Sequence, residues 1–178
     1  CFLLLKIINP LFHRFIRSAG VRDRLIQFGL IAAGCYGAYA LGGNNVVVAT
    51  APYYHAGLFG KVGGGSAALW GAALGGISIA LGALTYSRRV METIGKKITP
   101  LTPFSALMVV LSHSIVLHFF TQLNVPVSSS QAVVGAVIGT GIYYGARTIN
   151  QKTLVKIFIG WLLTPLLSGL LAFALTGL

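Results

Sequence analysis

Four long stretches of this chain carry no charged side chain. They run over residues 25–60, 62–87, 98–146 and 157–178, and the 13 Lys and Arg residues lie between them or before the first. A helix needs about 20 apolar residues to cross about 30 Å of hydrocarbon, so each stretch can hold one or two crossings. Only 8% of the residues are charged, against about 25% in soluble domains. We therefore predict an all-α, polytopic membrane protein with multiple passes.

The positions of the basic residues indicate a membrane topology rather than a nucleic-acid interface. They cluster at the ends of the apolar stretches and form no patch with interleaved aromatic side chains. Basic loops of membrane proteins lie in the cytoplasm, and we expect the segment 88–97 to be such a loop. The predicted location is a prokaryotic plasma membrane, with membrane lipid as a partner and no nucleic acid.

The first stretch is too long for one straight span, because as a helix it would measure about 54 Å. Two glycines and two asparagines interrupt it, and these residues suit helix ends better than helix interiors. We expect the helix to stop near Leu41 and restart near Val46, with Asn44 or Asn45 as N-cap. In hydrocarbon such a break is either a kink satisfied by neighbouring helices or part of a binding site.

A second interruption lies within the stretch 98–146, which forms either two crossings or a re-entrant hairpin. Pro126 ends one helix, and the serines Ser128, Ser129 and Ser130 can cap the next one. Hydroxyls beside the free N–H groups of a helix start form an anion site, although an ordinary external turn has the same residues. Two helix starts that converge near the bilayer midplane are typical of secondary transporters, and neutral donors there favour a small oxyanion.

Other polar and small residues give weaker indications. His113 and His118 do not share a helix face well enough for a metal site, so we interpret them as structural or hydrogen-bonded. Ser114 has no acid nearby, which argues against an intramembrane hydrolase. Two glycine pairs with small-xxx-small spacing predict close helix contacts: Gly71 with Gly75, and Gly135 with Gly139.

Both interruptions resemble signatures of a known family. Residues 42–52, Gly-Gly-Asn-Asn-Val-Val-Val-Ala-Thr-Ala-Pro, resemble the Gly-Ala-Asn-Asp-Val-Ala-Asn-Ala-x-Gly-Pro signature of the inorganic phosphate transporter (PiT) family. Residues 126–131, Pro-Val-Ser-Ser-Ser-Gln, resemble its Pro-Val-Ser-Thr-Thr-His region. Residues 89–101 and 161–169 resemble a family loop and its final Trp-x-x-Thr-Pro segment, so order and spacing agree over residues 22–178.

The resemblance implies a secondary transporter built from two inverted repeats with discontinuous helices. Residues 1–178 would form one transmembrane transporter domain, the C-terminal repeat, as a fragment or half of a larger transporter. The other half or a second copy would be its partner. The implied substrate-binding residues are Asn44, Asn45, Ser128, Ser129, Ser130 and Gln131.

The implied function is ion-coupled symport of inorganic phosphate, without a cofactor and without covalent chemistry. The alternatives are a permease for sulfate or another tetrahedral oxyanion, a passive channel, and a membrane receptor that does not transport.

Two departures from the family pattern bear on the coupling ion, Na⁺ or H⁺. The family's Asp is Asn45 here and its second Asn is Val48, while the only acids, Asp23 and Glu92, lie in basic segments. Asn44 and Asn45 are the candidate sodium contacts, but this half has no carboxylate beside them. A carboxylate ligand must come from the other half, or coupling is by proton or is lost.

Overall fold

The computed structural model describes residues 1–16, 18–58 and 65–176, and no strand occurs among them. In these ranges the α-helices are α1 (Phe2–Phe15), α2 (Ala19–Leu41), α3 (Val47–His55), α4 (Gly65–Glu92), α5 (Pro103–Gln122), α6 (Ser129–Tyr144) and α7 (Gln151–Thr176). Two π-helical turns occupy Gly42–Val46 and Thr93–Ile98. Four described segments are long and apolar enough to cross a membrane: Ala19–His55, Gly65–Ile98, Pro103–Gln122 and Gln151–Thr176. The predicted all-α, multi-pass membrane fold is confirmed.

The first predicted helix break does not occur. α2, the turn Gly42–Val46 and α3 form one helix from Ala19 to His55, with right-handed helical backbone angles on both sides of the turn. A π turn accommodates an extra residue without ending the helix. The asparagines of this turn bond to a neighbouring segment and do not cap their own helix. The predicted stop near Leu41 and restart near Val46 with an asparagine N-cap is therefore wrong.

The predicted basic loop at residues 88–97 is helical as well. α4 continues to Glu92, and the turn Thr93–Ile98 follows it directly. Arg88 Nε lies 3.6 Å from Glu92 Oε1, an i,i+4 pair that is compatible with a helix. The chain leaves the helical conformation at Thr99, whose backbone is extended.

α5 is the central helix and packs against α1, α2 and α6. Its buried apolar residues join two clusters, one shared with α1 and α2 and one shared with α6 and the turn Thr93–Ile98. α5 runs in the same direction as α2, because Gly29 lies beside Leu107 and Gly37 lies beside Ser114. This parallel pair brings the end of α5 to the level of the π turn Gly42–Val46.

Glycines set the distance between α3 and α4. Gly71 and Gly75 are both buried, as the small-xxx-small spacing predicts. A Cβ atom on Gly75 would lie 2.8 Å from Thr50 Cγ2 and 2.9 Å from Val46 Cγ1. In the second pair a Cβ on Gly139 would lie 3.2 Å from the Phe2 nitrogen, but one on Gly135 would meet no described atom within 4 Å. The predicted helix contact is therefore confirmed for three of these glycines and wrong for Gly135.

α5 and α6 form a hairpin, and from the lengths of the neighbouring helices we infer that its tip lies inside the apolar layer. The charge-free part of α4, residues 65–87, is about 33 Å long as a helix, close to the hydrocarbon thickness of about 30 Å. Gly75 lies near the middle of that part and contacts Val46, one residue after Asn45 in the turn that meets the hairpin tip. Beyond this level α3 continues to His55, by about 14 Å. Of the two alternatives for residues 98–146, this depth favours the re-entrant hairpin.

α7 lies at the edge of the described structure. It packs on the turn Thr93–Ile98, and Trp161 contributes to the apolar cluster there, but no residue of α7 is buried. Its outer face therefore has room for lipid or for further protein.

The contact at Gly75 predicts a selective effect of one methyl group. Gly75→Ala should overpack against Val46 and Thr50, whose branched side chains have few alternative rotamers, and destabilise the protein by about 1–3 kcal/mol. Gly76→Ala is the matched control, because a Cβ at Gly76 meets nothing within 4 Å. The measurement is the Tm of each variant in detergent, and equal Tm values would contradict the close α3–α4 packing.

Candidate functional site

Asn44 holds the tip of the α5–α6 hairpin through its side-chain amide. Asn44 Nδ2 donates to the Val127 carbonyl at 2.7 Å, and the Val127 N–H donates to Asn44 Oδ1 at 3.2 Å. The Asn44 residue is only 5% exposed. One amide thus satisfies both backbone groups of Val127, as a neighbouring strand would. The predicted site residue Asn44 is therefore engaged with protein on both ends of its amide.

Asn45 connects the π turn to the start of α6. Asn45 Nδ2 donates to Ser129 Oγ at 3.2 Å, while Asn45 Oδ1 accepts from Asn44 Nδ2 at 2.7 Å. Because Ser129 Oγ accepts this bond, its own hydroxyl hydrogen stays available for a ligand. Asn45 and Ser129, which are distant in sequence, thus form one polar pair.

The other predicted serines belong to the first turn of α6. Ser128 is the N-cap of α6, and its hydroxyl accepts from the Gln131 backbone N–H at 3.4 Å. Ser128 Oγ and Ser130 Oγ lie 3.1 Å apart. The predicted serine cap is confirmed, and α6 begins at Ser129, directly after its cap. The exposed Gln131 contributes its backbone rather than a side-chain hydrogen bond to this arrangement.

A cavity of about 550 Å³ collects most of the predicted residues. Asn44, Asn45, Ser128 and Ser129 line it, and Ile79 closes one side from α4. Ser130 and Gln131 do not line this cavity. The volume is typical of small-molecule sites and exceeds what one tetrahedral oxyanion needs. The polar wall is thus formed by two elements, the π turn and the start of α6, with apolar residues around them.

The electrostatics of the cavity come from neutral groups. The α6 start presents the positive end of a helix dipole, but the continuous helix through Val46 supplies no second start, so the expected dipole from that side is absent. Of the two acids, Asp23 is the fifth residue of α2 and Glu92 is the last residue of α4. Among the described residues no cluster of three His, Cys, Asp or Glu could hold a metal ion.

One polar residue near the start of α6 is not among the site residues that the sequence predicts. The His113 ring approaches the backbone of Ser129, although His113 does not line the cavity, and its Nε2 atom is buried and makes no hydrogen bond. The sequence predicts only a structural or hydrogen-bonded role for His113. A sequence signal did exist, because ionisable side chains inside membrane helices are functional candidates by default.

His118, by contrast, has aromatic neighbours. Its ring centroid lies 5.6 Å from that of Tyr36 and 5.9 Å from that of Tyr39. The interpretation of His118 as a structural residue of the α2–α5 contact agrees with these distances.

The matches between this chain and known proteins extend over both interruptions. A family model described as "Phosphate transporter family" matches residues 13–172. The "Putative phosphate permease PF1020" of Pyrococcus furiosus is 36% identical over 154 residues, which cover 84% of this chain and 37% of that protein. "Sodium-dependent phosphate transporter 1" of Mus musculus is 30% identical over 154 residues, 85% of this chain and 23% of that protein. The chain thus spans less than half the length of these relatives, and no solved structure matches it.

The different bonding of the two asparagines predicts different tolerance to aspartate. Asn44→Asp removes the hydrogens donated to Val127 and Asn45 and places a carboxylate against a carbonyl, at a cost of about 2–3 kcal/mol. Asn45→Asp keeps the bond from Asn44, and the Ser129 hydroxyl can turn to donate to it. The Tm in detergent should fall clearly for Asn44→Asp and little for Asn45→Asp; the reverse order would refute the bonding described here.

Proposed function

This chain belongs to the phosphate transporter family, and from that premise we propose that it forms part of a secondary transporter for inorganic phosphate. The transporter works as an ion-coupled symporter with alternating access. The observation that carries the proposal is the Asn45–Ser129 hydrogen bond, which joins the two family signatures in one cavity.

Phosphate binds at this pair through neutral donors. The Ser129 hydroxyl and the second hydrogen of Asn45 Nδ2 can both donate to one anion that lies between these side chains. The free N–H groups at the start of α6 add to the attraction. Ser128 and Ser130 extend this first turn. Gln131 lies on the same turn, outside the cavity lining. Asn44 acts by holding Val127, so we assign it a supporting role and assign the direct contacts to Asn45 and Ser129. No covalent step on phosphate is involved.

The remaining wall of the site comes from outside this chain. The cavity is larger than a phosphate ion, and the chain covers 37% of its Pyrococcus furiosus relative. We propose that a second inverted repeat, as the other half or as a second copy, closes the cavity and packs on the outer helices.

Sodium fits this half poorly. Asn45 Oδ1 and the serine hydroxyls are oxygen ligands, but without a carboxylate the charge of the ion stays unbalanced in hydrocarbon. A sodium-coupled transporter therefore needs its acid from the other repeat, and otherwise the proton is the coupling ion. The location we propose is a prokaryotic plasma membrane, since the archaeal relative shares more identity with the chain than the mouse protein does.

The proposal predicts a loss of phosphate affinity when the Ser129 hydroxyl is removed. Ser129→Ala should raise the KM for phosphate about tenfold, the effect of losing one hydrogen bond to a charged group. Ser168→Ala is the control, because Ser168 Oγ donates to the Thr164 carbonyl of its own helix, far from the cavity lining. The measurement is [³²P]phosphate uptake into proteoliposomes. An unchanged KM for Ser129→Ala would contradict a direct contact between Ser129 and phosphate.

Sulfate separates phosphate transport from the alternative permease. At neutral pH phosphate keeps a proton that can be donated to Asn45 Oδ1, whereas sulfate only accepts hydrogen bonds. A tenfold excess of sulfate should therefore leave the uptake of labelled phosphate nearly unchanged. Equal inhibition by sulfate and by unlabelled phosphate would favour the general oxyanion permease. A passive channel would equilibrate phosphate and never accumulate it against its gradient.

A further inference from the structure

His113 is an ionisable residue in the middle of a membrane helix, next to the start of α6. Its ring approaches the Ser129 backbone, and Ser129 carries one half of the polar pair described above. The Nε2 atom is buried without a partner, and Thr99 Oγ1 is the other such side-chain atom among the described residues. A buried polar atom without a partner destabilises a protein, so a residue of this kind is expected to have a use.

We propose that His113 is the proton-binding group of the transport site and that its Nε2 atom takes up one proton with each phosphate. This inference rests on the proposed function, and it names the coupling ion that the sequence leaves open. Histidine is the side chain whose ordinary range of titration lies between pH 5 and 8. Phosphate and proton enter together on one side and leave together on the other, and no bond within phosphate changes.

Among the described residues, no other charged or titratable side chain is found in contact with His113. The elements that pack on α5 are α1, α2, α6 and the turn Gly42–Val46. Tyr36 and Tyr39 of α2 contact His118, and Tyr143 of α6 accepts from Asn9. None of the described contacts to His113 involves the remaining groups on these elements, which are Lys6, His13, Arg14, Arg22, Asp23, Arg24, Cys35 and Tyr144.

Charge pairing makes proton and phosphate binding depend on each other. With the site empty, burial in the apolar layer opposes a positive charge on His113. An anion at Asn45 and Ser129 offsets this cost, because in a low-dielectric site the attraction between anion and imidazolium is strong. Each ligand then raises the affinity of the other by the same factor, which is the thermodynamic condition for coupled transport.

The test is proton-driven phosphate accumulation without sodium. Proteoliposomes that contain the complete transporter are held at zero membrane potential, with an inward gradient of one pH unit and [³²P]phosphate on both sides. One proton on His113 for each H2PO4⁻ sustains an accumulation of that ion of about tenfold, whereas carriage of H2PO4⁻ without this proton only equilibrates it. His113→Gln should lose proton-driven accumulation. Exchange of labelled for unlabelled phosphate should continue only with a raised KM for phosphate, because the imidazolium no longer attracts the anion. His118→Gln, on the same helix but against tyrosines, should accumulate phosphate as the unchanged protein does.

Three results distinguish failure of this inference from failure of the proposed function. Absence of any phosphate uptake or exchange in the unchanged transporter would overturn the proposed function. Accumulation driven by sodium alone, or proton-driven accumulation retained in His113→Gln, would overturn only the role of His113.

Proton uptake on phosphate binding gives a second measurement if His113→Gln does not fold. It is followed with a pH indicator in detergent, at a pH low enough that nearly all free phosphate is H2PO4⁻, so that proton uptake on binding comes from the protein. Uptake of about one proton per bound phosphate supports the inference, and no uptake overturns it.

Discussion

The pairing of the Asn44 amide with the Val127 backbone is the interaction on which the site depends. A non-helical segment inside the apolar layer must satisfy its backbone groups within the protein. The N–H groups of Leu123, Asn124 and Val125 bond to carbonyls at the end of α5, and Pro126 has no N–H. The Asn44 amide then bonds to both the N–H and the carbonyl of Val127. This one side chain therefore allows the non-helical link between α5 and α6 to lie inside the apolar layer. It also fixes the position of the serines at the start of α6.

The sequence was sufficient to predict the membrane class, the helical fold and the serine cap, because apolar length and capping chemistry are local properties. It was not sufficient for the segment 42–46, where two glycines and two asparagines favour a break by rules derived from helices in water. In this protein the π turn keeps its backbone bonds and turns Asn44 and Asn45 toward another element. That outcome depends on Val127 and Ser129, which are distant in sequence, so tertiary contacts decide it.

The predicted site residues illustrate the same limit. The family resemblance selects Asn44, Asn45, three serines and Gln131 together, but these residues differ in their hydrogen bonding. Asn44 is used on both ends of its amide, whereas the Ser129 hydroxyl keeps a free hydrogen. From the sequence, His113 is interpreted as structural or hydrogen-bonded, because its spacing to His118 does not suit a metal site. Spacing along one helix cannot reveal that α6 begins beside it.

A neutral site in hydrocarbon also constrains how an anion can cross. The donors and the α6 dipole favour an anion such as the proposed phosphate, but an unbalanced charge remains costly in a low-dielectric layer. The family's Asp position is Asn45 here, so this half cannot balance a sodium ion with its own carboxylate. A histidine that is neutral without the anion and positive with it balances the charge at the moment of binding. An amide at the position of the family's carboxylate and a buried histidine near the start of α6 would then be two aspects of one electrostatic requirement.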